Sequence, residues 1–473
     1  MAERTTELAV IGGGPGGYAA AFLAADLGMQ VTLIDQEANP GGVCLYRGCI
    51  PSKALLHVAK VMTEARDAAA WGVTFAEPRI ELEKLRRWKG QVVRQLTSGL
   101  GQLATRRKVT FVQGRASFVD ANSLTIQDVQ GKESTLQFSH AIVATGSRPA
   151  MLPEFFIDPP RMMNSTKALE LNDIPRTLLV IGGGYIGLEL GTVYAALGSR
   201  VSVVEMTDGL LPGVDRDLVG FVSRRLEHRF EAIKLNTKVV DLEEETQGIR
   251  VTLEGPNAAS TSEFFDKALV AIGRTPNSSG VGLNNTKVVV DQRGFIEVDA
   301  QRHTAEPTIF AIGDVVGEPM LAHKAAHEGR VAVEAIAGHK VAFEPQAIPA
   351  VVFTDPEIAW CGLTETQAKR EQRRVSVARF PWAASGRATT LDRTDGVTKL
   401  LIDPETERVL GVGIAGSGAG ELIAEGVLAV EMAALASDLK LSIHPHPTMS
   451  ETLMEAAEVF FGQSTHVYRP RRQ

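Results

Sequence analysis

One stretch of the sequence occurs twice, without a gap, 170 positions apart. Val10-Ile11-Gly12-Gly13-Gly14-Pro15-Gly16-Gly17 returns as Val180-Ile181-Gly182-Gly183-Gly184-Tyr185-Ile186-Gly187. Leu27-Gly28 returns as Leu197-Gly198, and Val31-Thr32-Leu33-Ile34-Asp35 as Val201-Ser202-Val203-Val204-Glu205. Each copy reads apolar strand, glycine turn, alanine-rich helix, glycine stop, apolar strand, acid. This is the βαβ dinucleotide fingerprint, and it commits the chain to two parallel-sheet units. The first glycine (Gly12, Gly182) makes the tight turn. The second (Gly14, Gly184) lets a pyrophosphate approach the backbone, and the third (Gly17, Gly187) lets helix pack on strand. The helix start offers unpaired N–H groups and a positive dipole end to the phosphates. Asp35 and Glu205, each 23 residues past the first glycine, are placed to accept hydrogen bonds from ribose hydroxyls. Two dinucleotides are expected.

Between the copies lies Gly41-Gly42-Val43-Cys44-Leu45-Tyr46-Arg47-Gly48-Cys49-Ile50-Pro51-Ser52-Lys53, with its cysteines five positions apart. In a regular α-helix such residues lie roughly 8–9 Å apart at Cα, whereas a disulfide spans at most about 7 Å. A Cys44–Cys49 bridge therefore requires a distorted helix start. Pro51 is the expected cause, since its ring clashes with the Arg47 carbonyl and it lacks an N–H. The segment resembles the redox-active motif of the pyridine nucleotide–disulfide oxidoreductases, flavoproteins that shuttle electrons between a nicotinamide and a disulfide. A flavin must stack near the disulfide to exchange electrons with it. The first fingerprint is therefore assigned to FAD and the second to the nicotinamide dinucleotide. Glu205 repels a 2′-phosphate, and no arginine follows it in Met206-Thr207-Asp208-Gly209. Arg200, at the far end of the strand, lies roughly 17 Å away. NAD is expected rather than NADP.

The resemblance also implies roles for single residues. Cys49 stands next to the flavin, Cys44 meets the substrate, and Lys53 and Glu189 pair near the flavin ring. Gly42, Gly114, Thr145, Gly146 and Ala322 join Gly12, Gly14, Gly17, Asp35 and Lys53 at the FAD site. Asp314 matches the aspartate of the family's second FAD motif, on the ribityl chain. Val239, Gly273 and Arg274 join Gly182, Gly184, Gly187 and Glu205 at the NAD site. No metal site is expected.

Thiol–disulfide exchange needs thiolates, and a histidine suits the proton because its pKa lies near working pH. Ile443-His444-Pro445-His446-Pro447-Thr448-Met449-Ser450-Glu451 offers two. Thr448 and Glu451 read as a capping box opening a helix. Glu451 also reads as the group that fixes one tautomer of a histidine and stabilises the imidazolium. Spacing alone does not choose between His444 and His446. The run is similar to the C-terminal motif of the dihydrolipoamide-oxidising branch of the family, which puts the base on His446 and its orienting partner on Glu451. That branch implies flavin-dependent oxidation of protein-bound dihydrolipoamide to lipoamide, with NAD+ reduced to NADH. It also implies a homodimer in which His446 serves the partner's cysteines. The implied macromolecular partners are lipoyl domains of 2-oxoacid dehydrogenase complexes, or of the glycine cleavage system. Tyr46-Arg47 departs from the branch, which usually carries Asn and a small or acidic residue there. Tyr185 and Asp35, in place of the usual Glu, are further departures.

Length and composition set the frame. A chain of 473 residues suggests about three domains. A net charge of −7, without a long run of one sign, disfavours nucleic acid or anionic membrane as a partner. Three cysteines make no disulfide framework, and with no signal peptide the expected compartment is the cytoplasm. The fold class expected is α/β, with two Rossmann-like dinucleotide domains and a C-terminal α+β dimerisation domain. Residues 1–148 and 276–345 are expected to form the FAD domain, interrupted by an NAD domain at 149–275. Residues 346–473 form the third domain, with strands near 398–402 and 409–414 and helices near 420–435 and 451–460.

Overall fold

The structure is a computed structural model that describes residues 3–151, 161–256 and 260–468. Its first sheet is built from apolar, β-branched runs that suit strands buried on both faces. Strands Thr110–Asp120, Val31–Asp35, Glu3–Ile11, Glu133–Val143 and Ile309–Ala311 pair in parallel, in that spatial order. Ser123–Asp128 joins the two long strands as an antiparallel meander. The second copy repeats the plan. Ala232–Lys234, Arg200–Val204, Thr177–Ile181, Lys267–Val270 and Met162–Met163 form a parallel sheet in that order. Its meander, Lys238–Glu245, Gly248–Glu254 and Ser260–Phe265, is a separate antiparallel sheet. The internal repeat thus extends well past the motif. Ser147–Pro149 and Arg274–Pro276 pair antiparallel, so the two crossings between the sheets run side by side.

A third sheet is antiparallel, in the order Ala350–Val352, Glu357–Gly362, Val409–Gly416, Val397–Ile402, Ser376–Pro381. Helices Ala419–Glu431 and Glu451–Phe461 pack on it. The two strands and two helices expected there are present within a few residues. Glu357–Gly362 and Ser376–Pro381 were not expected; each is short and lacks a clean alternation. The 25-residue helix Leu82–Arg106 was also missed, because its apolar residues are sparse between charges. Among the described residues no helix is long and apolar enough to cross a membrane.

One buried cation ties the second unit to the third. Lys399, 1% exposed, donates to Asp215 Oδ2 at 2.7 Å, Asp217 Oδ1 at 2.7 Å and Glu365 Oε1 at 2.8 Å. Three carboxylates at this spacing resemble a cation site, and the ammonium fills their common point. Burial pushes Asp215 up, but Lys399 and the N–H groups of Thr366 and Glu365 outweigh it and hold the carboxyl at about 2. Removing one partner of a buried ion group leaves uncompensated charge, at a cost of about 3–5 kcal/mol. Lys399→Met should therefore lose about that much stability at neutral pH in denaturant unfolding. Because Asp215 is depressed in the folded state, its contribution is present above about pH 4 and fades as pH falls towards 2. The gap between variant and native protein should close over the same range.

Candidate active site

The two fingerprints share one local geometry. Gly12 and Gly182 both adopt φ +107°. A Cβ there would lie 2.3 Å from the Ala144 carbonyl oxygen and 2.6 Å from that of Ala271, respectively. A Cβ on Gly17 would lie 1.8 Å from the Gly12 oxygen, and one on Gly187 2.3 Å from the Gly182 oxygen, so the third glycine is what seats helix on strand. The acids close the turns. The Gly13 N–H donates to Asp35 Oδ2 at 2.5 Å and the Gly183 N–H to Glu205 Oε2 at 2.7 Å. Glu205 Oε1 also accepts from the Thr207 N–H and hydroxyl, at 2.9 and 2.8 Å.

A cavity of about 600 Å³ opens at the first fingerprint. Of the residues expected at the FAD site, Gly12, Gly14, Asp35, Gly42, Lys53, Thr145, Gly146, Asp314 and Ala322 line it. Both cysteines, Glu189 and Arg274 line it too. Such a glycine cradle fits a dinucleotide, since a Cβ on Gly42 would lie 2.5 Å from the Gly14 Cα and close the floor. Gly114 is not on the wall. It follows Gln113, the register partner of Asp35, and a Cβ on it would lie 2.6 Å from the Gln127 carbonyl oxygen. Its glycine is required by the meander. Gly182, Gly184, Gly187, Glu205, Val239 and Gly273 lie away from this cavity, at the second fingerprint and its continuation. There the Thr237 N–H donates to the Glu205 carbonyl at 3.0 Å, two residues before Val239.

Two positioning groups were not anticipated. Ser147 Oγ donates to Asp314 Oδ2 at 2.5 Å and accepts from Arg274 Nε at 2.7 Å. Glu328, fully buried, accepts the Gly313 N–H at 2.7 Å and pairs with Arg302 and Lys324. Ser147 directly follows the Thr145-Gly146 turn, a signal open to sequence reading. Glu328 sits mid-helix and has no such signal.

The cysteines sit at the junction of two helices, Gly42–Arg47 and Cys49–Asp67. The break is at Gly48, with φ −140° and ψ −114°. A Cβ on Gly48 would lie 2.9 Å from the Val43 carbonyl oxygen. The expectation that Pro51 distorts the helix is thus corrected: Pro51 lies in the first turn of the second helix, where a missing N–H is tolerated, and Gly48 makes the bend. Both cysteines are thiols in this structure. The Cys44 S–H donated to Cys49, and then the Lys53 charge, outweigh burial and lower Cys49 to about 7. The same hydrogen bond, with burial, pushes Cys44 up. Lys53 Nζ donates to Glu189 Oε2 at 2.8 Å and lies 4.4 Å from the centre of the Phe353 ring. Arg47, between the cysteines, instead turns to Glu37.

The two histidines separate cleanly. His444, 7% exposed, has Nε2 2.8 Å from Glu425 Oε1 and Nδ1 2.9 Å from the Ser442 carbonyl oxygen. Both ring nitrogens face acceptors, so neither is left free to meet a substrate. His446 is 74% exposed, its Nδ1 2.9 Å from Glu451 Oε1, and its Nε2 has no partner among the described residues. Glu451 Oε2 accepts the Thr448 N–H at 2.8 Å, so Glu451 serves both the helix start and the ring. Burial pushes Glu451 up, but the Thr448 N–H and His446 outweigh it and hold the carboxyl below its ordinary value. His446 is not among the residues lining the cysteine cavity.

The profile of the pyridine nucleotide-disulphide oxidoreductases matches residues 6–329, and that of their dimerisation domain matches residues 348–457. The chain belongs to this family. It is an enzyme of the flavin disulfide oxidoreductase class, and FAD and NAD are its cofactors. It is 50% identical over 463 residues to the dihydrolipoyl dehydrogenase of Haemophilus influenzae, covering 98% of this chain and 96% of that one. The enzyme of the same name from Geobacillus stearothermophilus is 45% identical, at 98% and 97% coverage. Among solved structures, LpdA of Mycobacterium tuberculosis superposes with a TM-score of 0.89 at 27% identity, over 96% of this chain and 99% of that one. RclA of Escherichia coli, a flavoprotein disulfide reductase, gives 0.86 at 27% identity, over 96% and 99%.

The thiol geometry has a measurable consequence. In the reduced protein one thiol should ionise near pH 7, its thiolate lost as pH falls through that value, while the other stays protonated well above it. Thiolate ultraviolet absorbance against pH should show this single step. Cys49→Ser should abolish it. Lys53→Met, which removes the neighbouring cation, should move it up towards the ordinary thiol value of about 8.5.

Proposed function

We propose that this chain oxidises protein-bound dihydrolipoamide to lipoamide and reduces NAD+ to NADH, through a Cys44–Cys49 pair that cycles between disulfide and dithiol. The observation that carries this reading is the cysteine pair at the Gly48 break, with the Lys53–Glu189 pair, lining one glycine-rich cavity. Residues 1–148 and 276–345 form the FAD domain, 149–275 the NAD domain and 346–473 the interface domain. Gly12, Gly14, Asp35 and Asp314 would hold FAD, which when bound would supply the path for the electron pair from the cysteines to the nicotinamide. Cys44 meets the substrate sulfur, and Cys49 holds the thiolate on the flavin side. His446 takes the substrate proton at Nε2, with Glu451 keeping the proton on Nδ1. The substrate's two thiols become a disulfide as the cysteine disulfide becomes two thiols; the cysteine pair then returns to the disulfide, its two electrons and one proton converting NAD+ to NADH and its second proton passing to solvent.

Several features favour this substrate and cofactor. A second cavity, of about 570 Å³, is lined by Leu45 and Ile50, the residues after each cysteine, and by Leu96, Leu100 and Leu103 of the long helix. An apolar groove of this kind suits the alkyl arm that carries the dithiol. Glu205 favours NAD over NADP, and the next arginine in the chain, Arg216, is engaged elsewhere: it donates to the carbonyls of Leu210, Leu211 and Val214. The segment that leads to His446 carries exposed apolar side chains, among them Leu428, Met432, Leu441 and Ile443. They suit a two-fold interface that carries His446 to the partner's cysteines. Lipoyl domains of 2-oxoacid dehydrogenase complexes or of the glycine cleavage system would present the substrate, in the cytoplasm.

Steady-state assay with dihydrolipoamide and NAD+ tests the reaction; no turnover, with FAD bound, would reject it. His446→Gln should lower kcat by about 10²–10⁴-fold, the range of general-base contributions. Glu205→Ala should weaken NAD and narrow its advantage over NADP. If the site is shared between subunits, mixing inactive Cys44→Ser and His446→Gln proteins, after dissociation and reassociation, should restore about a quarter of native activity. Half the dimers are then hybrid and each holds one intact site. Verified hybrids without activity would place His446 with its own cysteines.

A further inference from the structure

Tyr46 and Arg47, between the two cysteines, end the first of the two helices and point back along the chain. Both reach the loop that follows Asp35. The Arg47 guanidinium ion-pairs with the Glu37 carboxylate. The Tyr46 hydroxyl accepts the Asn39 N–H at 3.2 Å and donates to the Asn39 carbonyl at 3.1 Å. Residues 36–40 contain no helix or strand, so these side chains, not a backbone ladder, fix their course. The Asn39 side chain is seated over Gly101 of the long helix, where a Cβ would lie 2.1 Å from its Oδ1. The Gln36 carbonyl accepts from Gln113 Nε2 at 3.0 Å.

The loop matters because Asp35 depends on it. Asp35 Oδ1 accepts the Glu37 N–H at 2.8 Å, while Oδ2 accepts the Gly13 N–H. Any drift of Glu37 therefore turns the carboxylate that faces the ribose. Arg47, Glu37, Asp35, Gly12 and Gly14 line one cavity, at its fingerprint end. Burial raises Asp35, and Arg47 is among the groups that oppose it. The thiols gain little from Arg47, since the cation acting on Cys49 is Lys53.

We propose that Tyr46 and Arg47 are positioning residues that staple loop 36–40 over the adenosine end of the cavity and set how long FAD stays bound. This rests on the assignment of FAD to the first fingerprint. The staple touches the adenosine half only, so it discriminates FAD from flavins that lack adenosine.

The test is FAD release from the purified holoprotein, followed by the rise in free-flavin fluorescence, for native protein, Arg47→Val, Glu37→Gln, Tyr46→Asn and the Tyr46→Asn/Arg47→Val double variant. Losing a half-exposed ion pair should speed release by about two- to fivefold, and the double variant by about tenfold or more, as the tyrosine bonds go too. Arg47→Val and Glu37→Gln should act alike, and combining them should add nothing, because they remove one interaction. FMN affinity of the apoprotein should be the same throughout, as should apoprotein melting temperature. Melting temperatures that fall with unchanged FAD release would make both residues merely structural and overturn the proposal. So would variants that lose FMN and FAD affinity equally. A native protein that takes up no FAD would reject the cofactor assignment and the staple with it. A native protein that holds FAD, with every variant releasing it at the native rate, rejects the staple alone.

Discussion

Glu189 is 3% exposed, and a carboxylate removed from water must be paired and hydrogen-bonded or it loses its charge. Its partners come from three distant parts of the chain. Lys53 Nζ and Ser52 Oγ, at 2.8 and 3.2 Å, belong to the helix that begins at Cys49. The Phe353 N–H, at 3.0 Å, belongs to the turn between the strands Ala350–Val352 and Glu357–Gly362 of the third sheet. Glu189 itself lies on the helix Tyr185–Leu197 of the second fingerprint. The need to satisfy one carboxylate therefore locks the cysteine helix, the second nucleotide unit and the third sheet into a single arrangement. The same need holds Lys53 beside Cys49, where its charge favours the thiolate. Structural constraint and thiol acidity have a common origin.

Lys399 does at the periphery what Glu189 does at the centre. Each is a buried charge whose partners lie on different units, and each would be costly to expose. With both in place, the second unit is held against the third sheet at two separated points. That fixes where the second fingerprint faces relative to the cysteine cavity, which the short crossings Ser147–Pro149 and Arg274–Pro276 alone would not fix.

The duplicated units differ where their tasks differ. Both turns bind their acid through the N–H of the second residue of the glycine run. After Glu205, the local hydroxyl of Thr207 completes the carboxylate's partners. After Asp35, the loop is held from outside, by Tyr46 and Arg47 of the cysteine segment. In the first unit the nucleotide wall and the cysteine segment are thus mechanically joined; among the described residues the loop after Glu205 has no such tie to the cysteine segment.

Much of this was legible in the residues themselves. The two fingerprints and the third-domain helices follow from patterns in which a residue type has one steric or electrostatic use at its spacing, whereas the pairing of Lys53 with Glu189 came only from the family resemblance. A glycine under a carbonyl oxygen is such a case, and so local rules suffice. Other features depend on neighbours far away in sequence. Gly48 and Pro51 were both possible helix breakers, and only the close approach to the Val43 carbonyl identifies Gly48. His444 and His446 are indistinguishable by spacing, and Glu425, nineteen residues from His444, decides between them by occupying its second nitrogen. Arg47 stands between the cysteines in sequence, yet its partner in space is Glu37. Sequence determined which chemistry the chain carries, because strand, turn and helix starts are local. Tertiary structure decided which of two equivalent side chains keeps a ring nitrogen without a partner, because a hydrogen-bond partner is a matter of position in space.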